Sequence, residues 1–232
     1  MTPRQVIERL SPLVTPARLR RFWQVARQRT RYITVVLENL YQDHNISAVL
    51  RTCEGLGIQD VHVVETTNAF RVNEEVALGA SKWLTIYRYG NVPEGPSPMR
   101  LCLESLRQKG YRITATVPRP DALPVEACPS DRPLALLMGT EMQGLSEEAI
   151  GSADLMLYLP MRGFTESFNV SVSTAIFLYA LWNKIRSEGN LVWLSEEEQE
   201  ELVAEWLKLS VRRADVILSW GEGENGRGAA RG

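Results

Sequence analysis

ITVVLENLYQDHNISAVLRTCEGLGIQDVHVVE, residues 33–65, is the stretch on which the fold turns. ITVVLE (33–38) is a nearly unbroken apolar and β-branched run, the pattern of a strand covered on both faces. Ile46, Val49, Leu50, Cys53 and Leu56 then recur at helical spacing, Gly55 and Gly57 stop that helix, and DVHVVE (60–65) reads as a strand again. A strand that returns through a helix enters the sheet parallel to its predecessor. The alternation continues through WLTIYRY (83–89), a helix around 99–109, YRITATV (111–117), LALLM (134–138), a short helix from Ser146 and LMLYLP (155–160). It predicts an α/β fold, a mostly parallel sheet flanked by helices.

Upstream, Thr2-Pro3 and Thr15-Pro16 each read as an N-cap followed by proline at the first helical position, opening helices to about Leu10 and Arg29. Downstream, Phe168 to Arg186 is a long apolar helix, Ser195 caps an acidic one, and GEGENGRGAARG carries almost no apolar residues. The chain therefore divides into a basic helical arm (1–32), an α/β domain (33–187), a helical extension (188–220) and a flexible tail (221–232). At 232 residues, 44% hydrophobic and 23% charged, it has the composition of an ordinary globular protein. The run from Val170 to Trp182, broken by Ser171, Ser173 and Thr174, is too short for a membrane span of ~20 residues. MTPRQVIERL has no signal-like apolar core. Cys53, Cys102 and Cys128 are an odd number without metal-ligand spacing, so the expectation is a cytoplasmic protein with no metal.

The net charge of −2 conceals an asymmetry. Residues 1–32 carry eight arginines (4, 9, 18, 20, 21, 27, 29 and 31) against Glu8, while Glu196, Glu197, Glu198, Glu200, Glu201 and Glu205 crowd one later helix. An arginine-only cluster suits bidentate contacts to phosphate; a solvated helical face accounts for the charges equally well. The segment after the first strand, NLYQDHNISAV, lacks the glycines of a dinucleotide site. Glycines come late instead, in GTEMQGLS (139–146) and PMRGFTESFNVS (160–171), both following strands, where open α/β sheets bind ligands. Gly139, Gly144 and Gly163 also fit simple turns. Asn45 fits a helix N-cap as well as a site residue, and Arg51 either a surface position or the crevice above the sheet.

Three motifs in order, HNISAVLRTCEGLG (44–57), LLMGTEMQGLSEEA (136–149) and LPMRGFTESFNVSVSTA (159–175), with a weaker GASKWL (79–84), resemble the SpoU/TrmH family of RNA ribose 2′-O-methyltransferases in the SPOUT superfamily. The arginine-rich arm looks like that of its tRNA (guanosine-18) branch. The resemblance implies a C-terminal trefoil knot, bound S-adenosylmethionine, a homodimer and a tRNA partner. Carried over by position, Thr116, Gly139, Gly144, Leu159, Met161 and Phe168 line the cofactor site, and Asn45, Arg51, Glu141, Ser167 and Asn169 are catalytic or substrate-positioning. Arg18, Arg20, Arg21, Arg27, His44, Lys184 and Arg186 are the candidate RNA contacts. Glu166 and Phe168 stand where many relatives have glutamine and leucine.

The implied activity is 2′-O-methylation of a tRNA ribose, at guanosine 18 of the D-loop. Alternatives are the same chemistry on rRNA or another tRNA position, or a catalytically silent RNA-binding protein. Joint retention of Asn45, Arg51, Ser167 and Asn169 speaks against the silent protein.

Overall fold

Thr2 and Thr15 cap as the sequence predicts: each hydroxyl accepts a backbone N–H three residues on, opening α1 (Pro3–Leu10) and α2 (Pro16–Ala26). The computed structural model describes residues 1–119 and 121–219, so the tail at 221–232 lies outside the described residues. After α2 come β1 (Ile33–Glu38), α3 (Asp43–Gly55), β2 (Asp60–Val64), α4 (Glu74–Ala77), β3 (Thr85–Tyr89), α5 (Pro98–Gln108), β4 (Arg112–Thr116), β5 (Leu123–Pro124) and β6 (Leu134–Met138). α6 (Glu147–Gly151), β7 (Leu155–Tyr158), α7 (Val170–Ser187), α8 (Glu196–Ser210) and α9 (Ala214–Ser219) complete the order. Among the described residues no helix is long and apolar enough to cross a membrane.

Residues Thr30–Val192 form one of two compact units, built on a seven-stranded sheet in the order β3-β2-β1-β6-β4-β7-β5. Every pairing is parallel. β1 and β6 run side by side at the centre, in register from Ile33 with Leu134 to Leu37 with Met138, and every residue of both is buried. That accounts for two sequences without polar alternation: both faces are covered. The side chains of Val35 and Leu37 belong to one core with α3 and α7; Val36 and Leu137 belong to the other, with α5.

The second unit joins Met1–Arg29 to the described residues from Trp193 to Ser219. The sequence reading separates the arm from the acidic extension, whereas the structure packs α1 and α2 against α8. Leu202, Val203, Trp206 and Leu207 bury the apolar side of α8, with Trp206 edge-on to Phe22 (5.9 Å between centroids) and under the Arg29 guanidinium. The charges follow that packing: Arg4 pairs with Glu200 at 2.8 Å, Arg9 donates to the Leu218 carbonyl and Arg18 to the Ser210 hydroxyl. Part of the asymmetry is thus neutralised within the chain. Arg20, Arg21 and Arg27 stay exposed with no hydrogen bond or ion pair among the described residues.

His62 on β2 is buried, its ring stacked on Tyr87 (4.7 Å) and its Nδ1 3.0 Å from the Tyr89 hydroxyl. Burial, then the Lys109 cation, pushes the imidazole down from 6.5 to about 4. Between those values the unfolded chain binds the proton more readily. Stability is therefore intact above pH 6.5 and falls as the pH drops through the window, by at most about 1.4 kcal/mol per pH unit. Urea unfolding at pH 7 and 5 should show the loss, and His62→Phe, which keeps the stack, should reduce it. An unchanged slope in the variant would assign the pH dependence to other groups.

Candidate functional site

The two late loops meet at the C-terminal ends of β4, β6 and β7. The loop after β6 closes on itself: the Thr140 N–H donates to the Gly144 carbonyl (2.9 Å) and the Gly144 N–H to the Thr140 carbonyl (3.0 Å). Gly144 has φ +70°, the left-handed region where glycine is favoured, and a side chain on Gly139 would lie 2.1 Å from the Gly144 carbonyl carbon. Both glycines therefore meet a steric need, which joins the turn reading to the site reading. Glu38, the one acid at the end of β1, holds the far side of this loop by accepting the Ser146 N–H (2.8 Å) and hydroxyl (2.6 Å). Sequence reasoning missed it; the signal was a carboxylate ending an otherwise apolar buried strand.

Between this loop and the one joining β7 to α7 lies a cavity of about 490 Å³, within the ~300–1,000 Å³ typical of small-molecule sites. Thr116, Gly139, Gly144, Leu159, Met161 and Phe168 all line it, as do Glu141, Glu166 and Ser167. Leu159, Met161, Phe168 and Phe177 supply apolar surface; the charged lining is Glu141, Glu166 and Arg119, the arginine being paired with Asp121 at 2.6 Å. The Thr116 hydroxyl is already engaged with the Leu137 carbonyl at 2.8 Å, so its contribution to the wall is steric.

Asn45 is buried beside this loop and is not the helix N-cap. α3 starts at Asp43 with Gln42 before it, which places Asn45 inside the first turn. Its Nδ2 donates to Gln42 Oε1 (3.0 Å) and to Glu141 Oε1, and its Oδ1 accepts from Asn169 Nδ2 (3.2 Å). Asn169 is itself the N-cap of α7, its Oδ1 accepting the Ser171 N–H (2.9 Å) and hydroxyl (2.6 Å). Two helix N-termini are thus tied together next to the cavity, an arrangement that favours negative charge.

Arg51 does not join this network. It is exposed, makes no hydrogen bond or ion pair among the described residues, and is not part of the cavity wall. Six residues beyond Asn45 on a helix of 3.6 residues per turn, it emerges on another face. Of the two positions the sequence leaves open for Arg51, it takes the surface one: Val49, Leu50 and Cys53 are buried, and Arg51 lies on the solvent side rather than in the crevice. Of the other candidates, His44 and Arg186 are exposed, the latter over the Trp182 ring (5.2 Å), while Lys184 is paired with Glu188 at 2.6 Å. Among the described residues there is no cluster of three or more His, Cys, Asp or Glu able to hold a metal.

Residues 32–179 match the model of the SpoU rRNA Methylase family. A Borreliella burgdorferi protein named tRNA (guanosine(18)-2′-O)-methyltransferase is 36% identical over 208 residues, covering 90% of this chain and 92% of that one. The Thermus thermophilus protein of the same name is 33% identical over 196 residues, 84% of this chain and 97% of its own. The crystal structure of the A. aeolicus TrmH/SpoU tRNA modifying enzyme superposes with a TM-score of 0.75 at 28% identity, covering 85% of this chain and 98% of that one.

Proposed function

This chain belongs to the SpoU rRNA Methylase family, and we propose that it transfers a methyl group from S-adenosylmethionine to a ribose 2′-hydroxyl of tRNA, at guanosine 18. The observation that carries the reading is the convergence of the loops after β6 and β7 on one cavity, beside an Asn45–Glu141–Asn169 network that reaches across 124 residues of sequence. The wall fits the cofactor: apolar side chains suit the faces of an adenine, and the carboxylates of Glu141 and Glu166 suit a ligand bearing a sulfonium and an amino group.

When bound, S-adenosylmethionine would supply an electrophilic methyl group that an oxygen nucleophile can attack, with the neutral thioether as the leaving group. The chain's own work is to place the ribose and stabilise its oxygen. Asn45, fixed by three hydrogen-bond partners, is oriented without needing substrate, as is Asn169. Ser167, exposed on the cavity wall, is placed to hydrogen-bond the ribose. Arg51, on the solvent side and outside this cavity's wall, carries a guanidinium with no partner among the described residues, available to a phosphate of the bound RNA and, once that RNA brings the ribose against it, to the developing alkoxide. A guanidinium is a poor base, so the hydroxyl proton leaves to water or to an RNA phosphate. The 2′-hydroxyl also marks the substrate as RNA.

The reading extends to a cytoplasmic homodimer and a trefoil knot. Val172, Ile176 and Tyr179 expose one apolar face of α7, which supports a second copy as its cover, and a monomer by light scattering would contradict that. The knot draws support from the strand order, in which β6 inserts between β1 and β4, and β7 between β4 and β5.

Arg20 and Arg21 of α2 and Arg27 just beyond its end, unpaired among the described residues, are the proposed phosphate contacts. Removing the whole arm would bare Trp206 and its neighbours, so point substitutions are the better probe. Replacing Arg20, Arg21 and Arg27 by glutamine should shallow the log–log salt dependence of tRNA binding by about 2–3 and leave cofactor affinity unchanged. An unchanged slope would make them a solvated face.

Nucleoside mass spectrometry of unmodified tRNA incubated with the protein and S-adenosylmethionine tests the whole reading. 2′-O-methylguanosine is the expected product; methylation confined to bases, or none, would overturn it.

A further inference from the structure

The loop between β7 and α7, residues 159–169, has two kinds of residue. Leu159, Met161, Glu166, Ser167 and Phe168 line the cavity. Between them the tip Gly163-Phe164-Thr165 stands clear of it, and Phe164 is exposed over its entire surface, the most exposed large apolar side chain among the described residues. Next to the tip, Arg162 is exposed with no hydrogen bond or ion pair among the described residues. A free aromatic ring and a free guanidinium two residues apart, three and five residues before Ser167, match the two parts of one nucleotide. The ring offers a π-face for an unstacked base, and the guanidinium a fork for its phosphate.

We propose that the 162–164 tip is a nucleotide-holding subsite in which Phe164 stacks on the base of the ribose being methylated, with Arg162 on its phosphate. The inference rests on the reading above and names a residue that positions the substrate. The geometry favours a base over a protein partner. The tip is one ring wide, with glycine and threonine on either side of it, so no continuous apolar patch surrounds Phe164. It also belongs to the same short loop that supplies five cavity-lining residues, so a base held there keeps its own ribose within reach of the cavity mouth. Sequence-specific RNA recognition commonly splays a base out onto an aromatic side chain, and a ribose can enter a cavity only if its base has somewhere to go.

The test is a binding cycle with two proteins and two RNAs, the second RNA lacking only the base at the methylated position. Phe164→Ala should weaken binding of the intact tRNA transcript about tenfold, and of the abasic transcript hardly at all, because the partner of the ring is already gone. Phe164→Tyr and Phe164→Trp should keep wild-type affinity for intact RNA; Phe164→Leu, apolar but without a π-face, should not. The ring touches little in the protein, so melting temperatures should stay together, and light scattering should give one mass for all variants. Equal loss on both RNAs, no loss on either, full rescue by leucine, or a changed mass marking Phe164 as a subunit contact would each overturn the proposal. The readout is affinity, so it stands apart from the activity reading, which fails if the wild-type protein transfers no methyl group.

Discussion

Gly139→Ala should reduce affinity for S-adenosylmethionine by roughly 10–100-fold or more, while Gly144→Ala and Gly163→Ala are milder. A Cβ on Gly139 would lie 2.1 Å from the Gly144 carbonyl carbon, 2.2 Å from its oxygen and 2.3 Å from the Leu145 nitrogen. All three are backbone atoms, so relief comes only from opening the loop and breaking the Thr140–Gly144 pair. Overpacking in a tight place costs about 1–3 kcal/mol or more, and each 1.4 kcal/mol is tenfold in binding. At Gly144 a Cβ meets nothing within 4 Å, and the penalty is only that of its left-handed φ, about 1–2 kcal/mol. At Gly163 a Cβ would meet only the Thr165 hydroxyl, at 3.9 Å, an ordinary contact, and φ is not positive. Calorimetric titration of the three variants checks the ranking; a Gly139→Ala protein that binds like wild type would mean that the loop's closed form is not what holds the ligand.

The second large effect is kinetic. Arg51→Ala should lower kcat by about 10²–10³, as loss of one donor to a developing oxyanion does, with KM for tRNA and cofactor affinity little changed. Because the side chain is exposed and unpartnered among the described residues, the melting temperature should not move; surface substitutions of this kind stay within about 0.5 kcal/mol. Arg51→Lys should not restore activity, since an ammonium cannot reproduce a planar, two-point contact. Asn45→Ala is the contrasting case. It leaves Gln42, Glu141 and Asn169 each short of a partner, so stability and activity fall together. Full activity in Arg51→Ala, measured by single-turnover methyl transfer, would remove Arg51 from the mechanism.

What the sequence made legible follows from how local each determinant is. β1 and β6 are recovered residue for residue because a strand buried on both faces leaves an unbroken apolar run. β5 was not foreseen: two residues ending in proline at the sheet edge carry neither period nor length. The caps at Thr2, Thr15, Ser146 and Ser195 are local chemistry and are read directly. Asn45 was ambiguous because the residue type that caps a helix is also the type that anchors a network, and only the partner across 124 residues distinguishes them. The basic arm and the acidic helix were both plain as charge runs. Their union was not, because it depends on Phe22 meeting Trp206 and on an Arg4–Glu200 pair 196 residues apart. The cavity wall was reached through motif resemblance, since spacing alone does not say that loops after β6 and β7 lie side by side. The strand order does, with both β6 and β7 paired to β4.

The most direct measurement of the central claim compares two unmodified tRNA transcripts that differ by one oxygen, the second carrying 2′-deoxyguanosine at position 18. With S-adenosylmethionine tritiated in the methyl group, the first should take up label to stoichiometric completion and the second none. Equal labelling of both transcripts, or of neither, would contradict ribose 2′-O-methylation at that nucleotide.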